Sequence, residues 1–268
     1  RDVLSKNDCF TVGETVLVTT QDAQALCPPG RKELDMIFSF DHMDCDHINN
    51  KWFKVPFKPY KLMNILFKWQ KEVDWNTLYF ENHDQPRSIS RFGSKKYPQQ
   101  SAKLLAVILF TLRGTPFIFE GQELGMTNAT FNTLSDFRDT ESITVWNLAT
   151  KLHFPRWLKM KLLRATSRDN ARTPMQWNDK ENAGFTTGTP WLGVNANYKK
   201  INAESQINDP NSVRSFYKKL IALRKNPEYK ETVVYGALEP VWEDVHNLMA
   251  YYRKGDKTLL VVGNYQKE

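Results

Sequence analysis

Two acidic side chains stand where short apolar runs break off: Glu14 follows Thr-Val-Gly, and Asp84 follows Asn82 and His83. A carboxyl group at the end of a strand in an α/β protein can be partly desolvated. Desolvation raises its pKa and keeps a proton available near neutrality, which is what a general acid needs. Both residues also have a plainer reading, in which Glu14 caps the next helix and Asp84 pairs with Arg87 or Arg91, and spacing alone favours it. His83 reads equally as a packed histidine, Arg168 as a surface ion-pair partner, and Gln122 and Glu123 as loop caps. Asp41, Asp44 and Asp46 lie close together without the ordered ligand spacing of a calcium loop. His42 and His47 flank Cys45 with no second cysteine at zinc-finger spacing, so neither a metal nor a cofactor is expected.

The elements that must position these residues follow from periodicity. Cys9 to Gly13 and Leu34 to Phe40 have strand character. Leu62, Ile65, Leu66 and Trp69 recur at helical spacing within 62–73, and Leu78-Tyr-Phe is a further strand ending in Glu81-Asn82-His83-Asp84. A helix buried on most of its surface runs from Ser101 to Leu112, Gly114 closes it, and Pro116-Phe-Ile-Phe is a fourth strand. Strand, helix, strand, helix is the pattern of parallel βα units, and polar residues gather where each strand ends. From Met126 to about Asn211 the chain turns rich in Asn, Gly, Pro and Trp, with helices expected around 140–150 and 155–166. So long an insertion after a strand reads as a functional rim. An amphipathic helix spans Ser212 to Lys225, and Val233-Val-Tyr, Met249-Ala-Tyr-Tyr and Leu259-Leu-Val-Val then read as an antiparallel meander of three strands.

Composition excludes several classes. Among 268 residues 41% are hydrophobic and 13% aromatic, against 12 glycines, which describes a folded chain rather than a solvated tail. The net charge of +7 permits anionic partners, but the basic residues are dispersed, and the densest patch, Arg156 to Arg168, is interleaved with Trp157, Leu158, Met160, Leu162 and Leu163. It reads as a solvated helix face, so no nucleic-acid partner is expected. No run reaches the ~18 to 20 apolar residues of a membrane span, and no membrane partner is expected either. Cys9, Cys27 and Cys45 are odd in number and read as reduced structural thiols of a cytoplasmic protein.

Several segments resemble one family in their literal text. Asn82-His83-Asp84-Gln85-Pro86-Arg87 with Ser90-Arg91-Phe92-Gly93 resembles the fourth signature of the α-amylase family, glycoside hydrolase family 13. Thr11-Val12-Gly13-Glu14 is similar to its third signature, at the end of barrel strand five, and the segment from Gly114 to Asn128 is similar to its eighth strand and following loop. The segments Ser167 to Trp177 and Ala183 to Trp191 resemble the branch that holds oligo-1,6-glucosidases, dextran glucosidases and trehalose-6-phosphate hydrolases. The resemblance covers nearly the whole chain. It implies an α/β fold, the C-terminal half of a (β/α)8 TIM barrel over residues 1–228 with a rim insertion at about 126–211. The start of an antiparallel all-β C-terminal domain follows at 229–268. Glu14 becomes the acid/base, Asp84 the transition-state stabiliser that holds sugar hydroxyls, His83 a donor to the same sugar, and Arg168 a clamp on the terminal glucose. Arg87 is implied as a further substrate-binding residue. Trp177, Phe185 and Trp191 serve as sugar-stacking walls or as core.

One family feature has no counterpart here. The nucleophilic aspartate belongs to a segment of the type Gly-x-Arg-x-Asp upstream of Gly-Glu, and these residues contain none. A retaining mechanism needs two carboxyls about 5 to 5.5 Å apart. The chain is therefore expected to be part of a retaining α-glucosidase that acts on short α-1,6-linked gluco-oligosaccharides and depends on an N-terminal half-barrel. Trehalose-6-phosphate hydrolase and sucrose isomerase are the enzymatic alternatives. A non-catalytic subunit or sugar-binding module of the same family is the alternative outside catalysis.

Overall fold

The computed structural model describes residues 6–28 and 33–265. Four short strands run side by side: β1 (Val12–Glu14), β2 (Met36–Phe38), β5 (Thr77–Leu78) and β6 (Thr115–Pro116). β1 pairs with β2 in parallel, placing Glu14 opposite Phe38, and β5 pairs with β6 in parallel, placing Leu78 opposite Pro116. Between the two pairs, side chains replace the ladder: Thr77 Oγ1 donates to the Ile37 carbonyl at 2.8 Å, and the Tyr79 hydroxyl to that of Ser39 at 2.7 Å. The expected strands around 34–40 and 116–119 are thus shorter than their apolar runs. Gly114 at the entry to β6 has φ +141°, and a Cβ there would fall 2.2 Å from the Asn76 carbonyl, so only glycine lets the strands approach.

Helices α1 (Thr20–Leu26), α2 (Pro59–Glu72), α3 (Ser88–Phe92), α4 (Pro98–Thr111) and α8 (Val213–Lys225) surround this parallel layer. Proline at the first turn opens α2 and α4, where its missing N–H has no helical partner to lose. Ser212 caps α8 by accepting from the Ser215 amide. The polar stretch after β2 folds into a turn at Asp41–Asp44 and a hairpin of β3 (His47–Ile48) and β4 (Asn50–Lys54), with Asn49 at φ +58°. Sequence periodicity did not indicate this hairpin. The rim carries α5 (Thr140–Lys151), α6 (Arg156–Thr166) and α7 (Ala203–Ile207) among 3-10 turns.

The terminal sheet orders β7 (Ala237–Pro240), β8 (Leu248–Lys254) and β9 (Thr258–Asn264) as an antiparallel meander. Val233 to Tyr235, expected as its first strand, instead forms a π-helical turn over Glu231–Tyr235. Val233 and Val234 are both buried, which neighbouring residues of a half-buried strand do not achieve, so packing overrides their β-branched preference. Met249, Tyr251 and Val261 from β8 and β9 share one core with Leu62, Leu66, Leu105, Ile108 and Tyr217 from α2, α4 and α8. Arg253 is fully buried and donates to the Thr111 and Gly236 carbonyls, stitching β8 to the end of α4.

Candidate active site

Glu14 ends β1, its side chain exposed and without a hydrogen-bond or ion-pair partner among the described residues. The burial expected for this carboxyl is therefore not present. The next residue anchors the strand end, since Thr15 Oγ1 donates to the Phe38 carbonyl at 3.0 Å. Phe38 packs edge-on against Tyr79 at 5.2 Å and against Phe117 at 4.7 Å, so the ends of all four parallel strands meet on one aromatic floor. Burial, and then the negative charge of Glu14, push the Tyr79 phenol well above its ordinary pKa, which puts Glu14 within electrostatic reach of the β5 end.

Asp84 sits in the loop beyond β5. Its amide donates to Asn82 Oδ1 at 2.8 Å, an Asx turn that presents the carboxylate outward. One oxygen, Oδ1, receives Arg172 Nη2 at 2.8 Å and Arg168 Nη1 at 3.3 Å; the other lies 3.5 Å from His83 Nε2. Asp84 keeps a third of its side chain exposed and His83 64%. Oδ2 and the imidazole are thus available to a ligand while Oδ1 is held. Asp84 pairs with neither Arg87 nor Arg91.

The clamp is itself clamped. Arg168 donates through Nε and Nη2 to Asp139 Oδ1 at 3.0 and 2.6 Å, and its Nε lies 3.7 Å from Glu141 Oε2. Asp139 caps α5, accepting from the Glu141 amide and from Ser142 Oγ. Burial pushes its pKa up, but hydrogen bonds from Arg168 and Ser142 outweigh this and hold it below the usual carboxylate value. The same hydrogen bond raises the pKa of Arg168. Glu141 in turn receives Lys51 Nζ at 2.6 Å and Trp52 Nε1 at 3.0 Å from the β3–β4 hairpin. Arg172 adds a bond from Nε to the His83 carbonyl at 2.9 Å.

Arg87 lies elsewhere than expected of a substrate-binding group. It is 1% exposed, and its guanidinium is spent on Glu81 Oε2 (3.0 Å) and the carbonyls of Glu120 (2.7 Å) and Ala171 (3.3 Å). These acceptors come from the β5 exit, the β6 exit and the turn between Arg168 and Arg172, so Arg87 ties the three together from below. Arg91 does the same for the hairpin, donating to Gln85 and to buried Asp46, which Lys54 also reaches at 2.7 Å. Among the described residues no group of acidic, histidine or cysteine side chains is arranged to hold a metal ion. Trp177, Phe185 and Trp191 are each at least half exposed, as a stacking wall would be.

Arg172, Asp139 and Glu141 were not singled out by sequence. Arg172 had a signal: it stands four residues after Arg168 within Arg-Asp-Asn-Ala-Arg, and the 3-10 turn over Arg168–Asn170 brings both guanidiniums to one carboxylate.

Comparison with known proteins places the chain in a family. Residues 1–236 match the family described as "Alpha amylase, catalytic domain". The oligo-1,6-glucosidase of Parageobacillus thermoglucosidasius is 45% identical over 276 residues, covering 100% of this chain and 48% of that protein. A crystal structure of Bacillus licheniformis trehalose-6-phosphate hydrolase superposes with a TM-score of 0.94 at 45% identity, covering 98% of this chain and 48% of that one. An isomaltulose synthase mutant from Erwinia rhapontici, in complex with sucrose, gives 0.93 at 37% identity, covering 100% and 49%. The chain spans about half the length of the curated relatives it matches. With parallel strands ending on a shared floor and a family match over most of its length, this chain belongs to the α-amylase family, glycoside hydrolase family 13.

Proposed function

We propose that the chain supplies one half of the active site of a retaining α-glucosidase acting on short α-1,6-linked gluco-oligosaccharides. Glu14 protonates the departing glycosidic oxygen, and Asp84 holds hydroxyls of the terminal glucose as its ring flattens and positive charge develops. His83 donates to the same sugar, Arg168 and Arg172 fix the carboxylate, and Arg87 acts from below by joining the loops that carry them. The observation that carries this reading is the Asp84 carboxylate, fixed on one oxygen by two guanidiniums and open on the other beside an exposed imidazole. In this reading residues 1–228 belong to the catalytic barrel and 229–268 begin the β domain, the whole working in the cytoplasm. No helix of the described residues is long and apolar enough to cross a membrane. The nucleophile comes from outside these 268 residues, which on their own turn over no glucoside.

The test is hydrolysis of isomaltose by the complete protein, with Glu14→Gln and Asp84→Asn alongside. Each substitution is expected to lower kcat by about 10²- to 10⁴-fold, the usual range for an acid/base or a charge-stabilising group. Unchanged turnover in Glu14→Gln would falsify the assignment. A second reading, trehalose-6-phosphate hydrolase, is favoured by the crystal structure that superposes at the same 45% identity as the oligo-1,6-glucosidase. The ratio of kcat/KM for isomaltose to that for trehalose 6-phosphate separates the two.

A further inference from the structure

A cleft of ≈ 710 Å³ opens beside α3 and α6, and its walls include neither Glu14 nor Asp84, Arg168 or Arg172. Lys95, Lys161 and Arg164 line it together with Trp157 and Asn128, and no aspartate or glutamate does. Trp157, Lys161 and Arg164 fall at helical spacing on α6, a stripe that adjoins the side through which Met160 and Leu163 are buried. An indole 65% exposed at the mouth of a cleft contributes nothing to the core. Lys95 and Lys161 have no ion-pair partner among the described residues, whereas Arg164 is held in place by the Phe131 carbonyl and Asn132. Two lysines and an arginine lining one cleft with no carboxylate make its potential positive, and a bound anion is favoured there.

We propose that this cleft is a second ligand site, taking a phosphate monoester carried on a ring-bearing group, either a sugar phosphate or a nucleoside monophosphate. Lys95, Lys161 and Arg164 hold the phosphate, and the Trp157 face covers the ring. The floor links the cleft to the candidate active site. Asn128 accepts from the Arg87 amide at 2.9 Å and donates to the Arg164 carbonyl at 3.2 Å, and Asn170 donates to the same carbonyl at 3.1 Å. The site stands independently of the glucosidase reading, because none of its lining residues has a role there and binding is read without turnover.

Isothermal titration of the complete protein with glucose 6-phosphate, adenosine monophosphate, glucose and inorganic phosphate tests it. One of the two monoesters is expected to bind about tenfold or more tighter than glucose or inorganic phosphate, and which one does so identifies the ring. Lys161→Glu and Trp157→Ala should each weaken that binding about tenfold, and Arg172→Ala should leave it unchanged. Lys161 and Trp157 are exposed, so circular dichroism of these variants should match the parent. Equal affinity for inorganic phosphate, binding that survives Lys161→Glu, or loss of binding in Arg172→Ala would each overturn the proposal.

Discussion

At the scale of single residues, the site depends on which charges face which. Replacing Arg172 by Ala removes one of two cations from Asp84 Oδ1 and frees the His83 carbonyl. In the complete protein this should lower kcat by about 10- to 100-fold with a smaller change in KM, because a misaimed carboxylate costs most where charge develops. Steady-state kinetics on isomaltose check it, and a change confined to KM would contradict the positioning role. His42 gives a prediction about acid stability. Its Nε2–H donates to the Tyr79 carbonyl at 2.8 Å, and burial depresses its pKa from 6.5 to about 4. The unfolded chain therefore binds a proton below pH 6.5 that the folded chain refuses until about pH 4. Stability attributable to this group is intact above pH 6.5 and is lost as pH falls toward 4, by roughly 3 kcal/mol in all at about 1.4 kcal/mol per unit. Denaturant midpoints across this range should fall in the parent and fall less in His42→Gln, which keeps a donor without the titration.

At the scale of elements, two close approaches position the loops. Gly121, at φ +84° after β6, has Met126 Sδ 2.2 Å and Arg87 Nη1 3.4 Å from where a Cβ would stand. Gly121→Ala is expected to cost about 2 to 4 kcal/mol, from the strained backbone and the displaced Met126, and to disturb Arg87 with its three acceptors. Thermal denaturation measures the first effect, and activity of the complete protein the second. Helices α2, α4, α5, α6 and α8 were legible beforehand because their apolar faces are local, though α2 and α4 begin at Pro59 and Pro98, three residues before their expected starts, and the short α1, α3 and α7 were not read. The turn at Glu231–Tyr235 was not, because the burial that selects a helical turn there comes from distant segments, Gly255 and Lys257 among them.

For the molecule as a whole, the terminal sheet and the parallel layer share a core, so they should unfold together. Tyr251 packs against Phe67 at 5.8 Å and hydrogen-bonds Thr111 at 2.5 Å. Tyr251→Ala should lower global stability by about 3 to 5 kcal/mol and increase amide exchange in α4 as much as in β8. Exchange raised in β8 alone would mean that the sheet opens independently. Phe10 just before β1 and Val16 and Leu17 just after it are exposed, which predicts concentration-dependent association of the chain on its own, visible in sedimentation and reduced by Phe10→Lys. Sequence by itself determined the α/β architecture and the family, because strand ends, helix caps and long motifs are written in neighbouring residues. It also determined that Glu14 ends one parallel strand and that Asp84 follows another. Only the tertiary structure decided the partners. Asp84 is held by Arg168 and Arg172, 84 and 88 residues away, while nearby Arg87 turns inward to Glu81, because an ion pair is selected by convergence in space and by burial rather than by separation along the chain.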